Sequence, residues 1–451
     1  MTEKRNLSFG QLFNLSFGFF GVQIAYALQS ANISRIFATL GADPHQLAFF
    51  WLLPPLMGMV VQPIVGILSD RTWMGNFFGR RKFYLLIGAL IAVAVMVLLP
   101  NAGDFTFEQR ILLGLNSAMW FGLFSLMFLD TSINIAMQPF KMMVGDMVNE
   151  EQKGLAYSIQ SFLCNAGSLA GYIFPILFTW LGIQNTAPEG VIPDSVKWSF
   201  YVGAGILMLC VLYTFLAVKE MNPQEYAEFH GLNKKQDEVA EQTSSSNSKH
   251  ILSAFITVGL VQFFCWAAFL FMWTYSNGAI ASQCFGWDGT STADSAFQNA
   301  GNWVGVCFAV QAVGSMLWAL FIPVLEKYLH NKGAYIVSLF VGAIGFASTM
   351  FVTNQYVLLL SYALIGAAWA AMLALPFTII TNAISGSKYM GTLLGLFNCT
   401  ICLPQIVAAL GGGKILNGVC AGSQVGMLVA AGVLLVLGAL SVILIKEGKK
   451  K

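Results

Sequence analysis

Apolar residues run along this chain in blocks of 20 or more, broken by short polar turns and by one long polar interruption. A hydrocarbon core about 30 Å thick takes roughly 20 helical residues to cross. At that length the pattern predicts twelve helices: 11–38, 47–69, 83–101, 110–140, 154–182, 198–218, 251–281, 301–325, 334–353, 356–384, 389–411 and 421–446. The interruption, KEMNPQEYAEFHGLNKKQDEVAEQTSSSNSKH at 219–250, has too few large apolar residues to build a core. It reads as a polar linker dividing a six-helix half, 1–218, from a second, 251–451, with His230 and His250 as solvated residues in it.

Composition agrees. The chain is 57% hydrophobic and 10% charged, where a soluble domain has about 25% charged residues, so it is expected to be an all-α, multi-pass membrane protein. The apolar segment from Leu12 is much longer than the core of a leader peptide, and no cleavable signal is expected. If the N-terminus is inside, nineteen of the 23 Lys and Arg fall on that side, leaving Arg35, Arg110, Lys197 and Lys414 near the other. The positive-inside rule then puts both termini in the cytoplasm, which requires an even number of spans. The eight cysteines are scattered. Cys399 and Cys402 form a lone C-x-x-C inside an apolar stretch, where no metal site is expected, and Cys284 and Cys420 are candidates for a pair on the outer side. The N-x-S/T triplets at Asn6, Asn14, Asn32 and Asn398 fall inside the cell or within spans, so they suggest no surface glycan.

The halves echo each other. AMQPFKMMVGDMVNEEQKG (136–154) aligns with LALPFTIITNAISGSKYMG (373–391), matching Pro139, Phe140 and Gly154 to Pro376, Phe377 and Gly391 at an offset of 237. Gln23 and Gln262 take similar places in the first span of each half. Two parallel six-helix repeats are the architecture of the major facilitator transporters.

One acid stands out within the spans. Asp130 lies eleven residues before Lys141, about 16 Å along a helix, near the middle of the bilayer. Asn134 and Gln138 follow at four-residue steps on the same face. Intramembrane acids mark ion or substrate paths, and one withdrawn from water can carry a proton at working pH. The repeat partner of Asp130 is Ala367, so ion coupling is expected in the N-terminal half alone. Between spans two and three, GILSDRTWMGNFFGRRK (66–82) carries the G-x-x-x-D-R…G-R-R pattern of the major facilitator loop. Asp70, Arg71, Arg80, Arg81 and, across from them, Asp146 are expected to form a cytoplasmic gate.

The segments GVQIAYALQSANIS, FWLLPPLMGMVVQPIVGILSDR, FGRRKF, FLDTSINIAMQPFKMMVGD and GTLLGLFNCTICLPQIVAALGGG resemble the sucrose–proton symporter family, close to the glycoside–cation symporters. The resemblance implies sugar uptake coupled to protons, with the acid of the L-D-x-x-x-N motif, here Asp130, as proton acceptor. Three positions depart from the plant pattern: Trp303 where an arginine is expected, Met272-Trp273-Thr274 in place of acids, and a basic loop ending R-R-K-F.

A sugar presents hydroxyls and an apolar ring face, which amides, a carboxylate and aromatic rings complement. The candidate site is Gln23, Tyr26, Asp130, Asn134 and Asn165 from one half and Gln262, Trp266, Gln311 and Asn398 from the other. For each amide the competing role is to bind helix to helix. Trp51, Trp120 and Trp180 are expected to pack or anchor at interfaces, and Arg35 to be either an anchor at the outer end of the first span or a site residue. No catalytic motif, cofactor, metal or nucleic-acid partner is expected, and the coupling ion is H⁺, with Na⁺ as the alternative. The rival roles are a sugar sensor without net transport and an exporter of another small molecule. The compact chain favours a bacterial inner membrane and a monomer. Which sugar is carried, whether sucrose, maltose or fructose, is left open.

Overall fold

The computed structural model describes residues 6–105, 111–149, 152–229, 245–383 and 390–445, and these form fourteen α-helices. In chain order they are α1 (Phe9–Thr39), α2 (Pro44–Phe50), α3 (Leu53–Arg71), α4 (Gly75–Phe78), α5 (Arg81–Leu98), α6 (Ser117–Met147) and α7 (Lys153–Trp180). There follow α8 (Asp194–Ala217), α9 (Pro223–Phe229), α10 (Ser245–Cys284), α11 (Ser295–Ser348), α12 (Gln355–Ala383), α13 (Met390–Gly418) and α14 (Gln424–Val442).

Among the described residues, ten helical segments are long and apolar enough to cross a membrane. One of them, α11, is two crossings joined at His330, whose φ of 59° and ψ of 176° break the helix. These are the expected eighth and ninth spans. The first crossing, α1, is as long as the others but more polar, and it completes the twelve. The expected span 47–69 is divided into α2 and α3 because Pro54 and Pro55, in the first turn of α3, have no N–H to continue the ladder from α2. Helix starts follow side-chain caps. Ser8 and Gln11 form a reciprocal capping box at α1, and Asn116, Asp294 and Ser423 cap α6, α11 and α14. The repeat-related Pro139 and Pro376 both lie inside long helices, α6 and α12.

In the first half, α1 packs on α7 and α8, α5 on α6 and α8, and α3 on α6. In the second, α11 packs on α12 and α14, and α10 on α13 and α14. Between them α7 lies against α11, α2 and α3 against α13, and α1 touches both α10 and α11.

The linker departs from expectation at both ends: residues 245–250 already belong to α10, and residues 219–229 include α9 and lie at the basic end. Glu220 is buried and accepts hydrogen bonds from the backbone N–H groups of Arg80, Arg81 and Lys82 at 2.6–3.0 Å, satisfying the donors that open α5. Behind it α9 brings Tyr226 under the Arg80 guanidinium, 4.4 Å from the ring centre. A carboxylate placed on a helix N-terminus anchors this segment where composition suggested only solvated chain. Residues 230–244, with His230, and the side chain of His250 lie outside the described residues.

Candidate functional site

Asp130 is 3% exposed in the middle of α6. Its Oδ1 accepts a hydrogen bond from Gln29 Nε2 of α1 at 2.5 Å, while Oδ2 is buried with no protein hydrogen-bond partner among the described residues. Asn134, one turn on, donates to the Asp130 backbone carbonyl at 2.8 Å, and its own Oδ1 accepts from Gln62 Nε2 of α3 at 2.7 Å. Three helices are thus tied by the chain Gln29–Asp130–Asn134–Gln62. Tyr26, one turn before Gln29, lies within electrostatic reach of Asp130 and also of Cys402 on α13. Gln29 and Gln62 were not anticipated. Gln29 shares the face of Gln23 and Tyr26 at three-residue steps, which was the available signal.

The remaining candidates divide. Gln23 is buried against α7, where Ser168 Oγ donates to its Oε1 at 3.4 Å, and so joins two helices of one half. Asn165 is half-buried and turns back to donate to Ser161 O at 2.8 Å, and Asn398 points its amide at Cys402 Sγ, 3.8 Å away. Gln311 is buried in α11. Gln262 is fully buried in α10, yet neither atom of its amide meets a protein partner among the described residues, and the indole N–H of Trp266, one turn on, is likewise unpaired. Buried polar groups are nearly always paired, so of the four residues expected from the second half these two are the strongest candidates. Trp266 is edge-on to Trp369 at 5.7 Å, Trp273 is edge-on to the same ring at 5.8 Å, and Trp51 from the first half stacks on Trp273 at 5.8 Å. Trp273 and Trp369 extend the aromatic wall beyond what the sequence indicated.

Two arginines mark the ends of the bundle. At the end where α1 finishes, Arg35 is 1% exposed and crosses between the halves. Its Nε donates to Gln298 Oε1 at 2.7 Å, Nη1 to Asn302 Oδ1 at 2.9 Å, and Nη2 to Asn185 Oδ1 at 2.8 Å. Gly301 makes the room: a Cβ there would stand 2.5 Å from Arg35 Cδ. Trp51 Nε1 donates to Ser34 Oγ at 2.8 Å, and Ser34 Oγ to Trp273 O at 3.1 Å, so the seal continues inward. At the basic end, Arg81 pairs with Asp70 at 2.6 Å and Asp146 at 2.8 Å and donates to Ser69 Oγ. These residues belong to α3, α5 and α6, so the expected gate cluster is a knot inside one half. Arg71 stands exposed at the end of α3, and Arg80 turns to Tyr226. Cys284 and Cys420 are both free.

The Major Facilitator Superfamily matches residues 15–409. The chain belongs to this superfamily. It is 24% identical over 443 residues to sucrose transport protein SUT1 of rice, covering 87% of this chain and 80% of that one. Sucrose transport protein SUC4 of Arabidopsis thaliana is 21% identical over 434 residues, 87% of this chain and 81% of the relative. The general alpha-glucoside permease of fission yeast is 27% identical over 169 residues, 37% of this chain and 30% of that one. These relatives accord with the resemblance carried by the L-D-x-x-x-N and loop motifs. Among solved structures, the nucleoside transporter NupG superposes with a TM-score of 0.66 at 14% identity, covering 97% of this chain and 99% of that one. The peptide transporter POT with sulfate gives 0.66 at 14%, covering 98% and 95%. Both share the fold. The protein is therefore an integral multi-pass membrane transporter and not an enzyme.

Proposed function

We propose that this transporter imports a sugar together with a proton, with Asp130 as the proton carrier. The observation that supports this most is the state of its carboxyl group: buried at mid-span, one oxygen fixed by Gln29 and the other left without a protein partner. The free oxygen is the one to take the proton. Protonated, it donates to a sugar hydroxyl; deprotonated, it accepts from one. Tyr26 and, across the halves, Gln262 and Trp266 supply further polar groups and an aromatic face. The sucrose and alpha-glucoside carriers among its relatives support the sugar class.

In this reading the basic end faces the cytoplasm, and the end sealed by Arg35 faces outward, so the conformation has its outer mouth shut. Rocking of the halves breaks that seal and exposes Asp130 to the outside. Gln29 and Arg35 lie six residues apart on α1, about 9 Å, so the helix that feels the state of Asp130 also carries the latch.

The test is proton entry into proteoliposomes, read by an internal pH dye as sucrose, maltose, glucose and fructose are added in turn. Acidification is expected with at least one sugar and is expected to fall at least a hundredfold in Asp130→Asn, which keeps size and hydrogen bonding but cannot ionise. Sugar uptake that persists without proton flow, or follows a sodium gradient, rejects the coupling; no uptake of any sugar rejects the substrate class.

A further inference from the structure

Above the Arg35 seal lies a cavity of about 430 Å³, open at the end of the bundle, to which Thr39, Asn277, Trp287, Thr292 and Gln424 contribute. That volume is within the ~300–1,000 Å³ of small-molecule sites. It is separated from the Asp130 region by the cross-half contacts just described. Asn277, in the last turns of α10, is only 4% exposed, and both its Nδ2 and Oδ1 lack a protein partner among the described residues. Gln424 at the start of α14 lies flat on Gly278, where a Cβ would stand 2.2 Å from its Oε1, and that oxygen is also unpaired. An amide whose task was to join helices would be bonded to its neighbour. Packing holds both side chains in place, with the two amide atoms of Asn277 and the amide oxygen of Gln424 unused.

Their chemistry selects a ligand class. Asn277 offers both a donor and an acceptor, Gln424 adds an acceptor, and Trp287 adds an indole, itself fixed through Nε1–H to Ser291 O at 2.8 Å. Hydroxyls that donate and accept at once, carried on a ring with an apolar face, match that set. The acids of this cavity, Asp43 and Glu189, are on the exposed rim, away from the amides' buried position, which favours a neutral ligand over a cation.

The cavity floor also touches the latch. Gln298, which holds Arg35, donates through Nε2 to Thr39 Oγ1 at 3.1 Å and to Thr292 O at 2.6 Å. Thr292 Oγ1 reaches the Ala38 carbonyl at 3.4 Å. A ligand in the cavity would therefore stand one layer of hydrogen bonds above the guanidinium.

We propose that this vestibule is a second sugar site, at the outer mouth, where Asn277 and Gln424 bind a polyhydroxylated ligand before the halves part. The proposal rests on the sugar reading above for its ligand, and its test is independent of transport. A cysteine reporter at the exposed rim, Thr290→Cys, is placed in protein whose two free thiols at this end, Cys284 and Cys420, are replaced by serine. Labelling by a membrane-impermeant maleimide is then timed with and without sucrose, maltose, glucose or fructose. At least one sugar is expected to slow labelling threefold or more, and Asn277→Leu, which removes the unpaired amide, or Gln424→Leu, which removes the unpaired oxygen, is expected to abolish the protection. In transport, the ratio of KM measured from the vestibule side to KM from the basic side is expected to rise at least fivefold in either variant. Labelling indifferent to every sugar overturns the site even where transport is intact, as does equal protection by sodium chloride. Protection in a protein that carries no sugar keeps the site and rejects the transport reading.

Discussion

The two arginine clusters use the same guanidinium in opposite ways. Arg81 joins α5 to α3 and α6 through two carboxylates, all within one half. Arg35 joins the halves, and its three acceptors are all neutral amide oxygens. An ion pair inside a rigid unit moves with that unit and has no need to break. A contact across the seam must break in every transport cycle, and neutral acceptors hold a charge less strongly than carboxylates do. Strong pairing sits where the protein stays whole, and weaker pairing where it must open.

Substitutions can break this contrast. The largest effect is expected from Arg81→Met, which takes the guanidinium from Asp146 and Asp70; losing one partner of a buried pair costs up to about 3–5 kcal/mol, less here because the Asp70 side chain is 55% exposed and Tyr226 still reaches Asp146. The expected outcome is a fall of about 2–3 kcal/mol in stability, seen as lower folded yield and a lower melting temperature in detergent. A melting temperature unchanged within a degree would show that the knot is not structural. Next, Arg35→Gln removes the two charge-assisted bonds that cross the seam, to Gln298 and Asn302, and the one to Asn185 within its own half, while the fold survives. It should move the balance between shut and open mouths by about 2 kcal/mol, roughly thirtyfold, read as a longer distance between spin labels at Asp43 and Asn417. If that distance distribution stays as in the unsubstituted protein, Arg35 is an anchor and not a latch. The smallest effect is expected from Trp51→Phe, which loses the bond to Ser34 but keeps the stacking on Trp273. A shift of about 0.5–1.5 kcal/mol in the same direction is expected, and a larger one would move the main seal inward from Arg35.

The fold was legible because period and length do the work in a bilayer: each apolar run had to be a helix long enough to cross. Asp130 was legible for the same reason, since one acid in an apolar run has few explanations. Its partner Gln29 was not, because an amide on a helix carries the same letter whether it meets a neighbour's carboxylate or joins two backbones. Arg35 left an even choice because its acceptors lie at least 150 residues further along the chain, and no local pattern connects them. Glu220 was hidden differently. The linker's composition is truly that of solvated chain, and one carboxylate landing on the N–H groups of α5 outweighs that average. Asn165 and Gln23 show the converse, amides of the same type whose hydrogen bonds stay within their own half.

The amide cradle of Arg35 has an electrical consequence. A guanidinium stays protonated across the physiological range, and neutral amides leave its charge uncancelled. When α1 shifts to open the mouth, one full elementary charge travels with it through part of the membrane field. Crossing the whole field is worth about 2.3 kcal/mol per 100 mV, so a tenth of that path contributes about 0.2 kcal/mol. Any part of that movement along the membrane normal therefore makes the opening of the Arg35 seal depend on voltage.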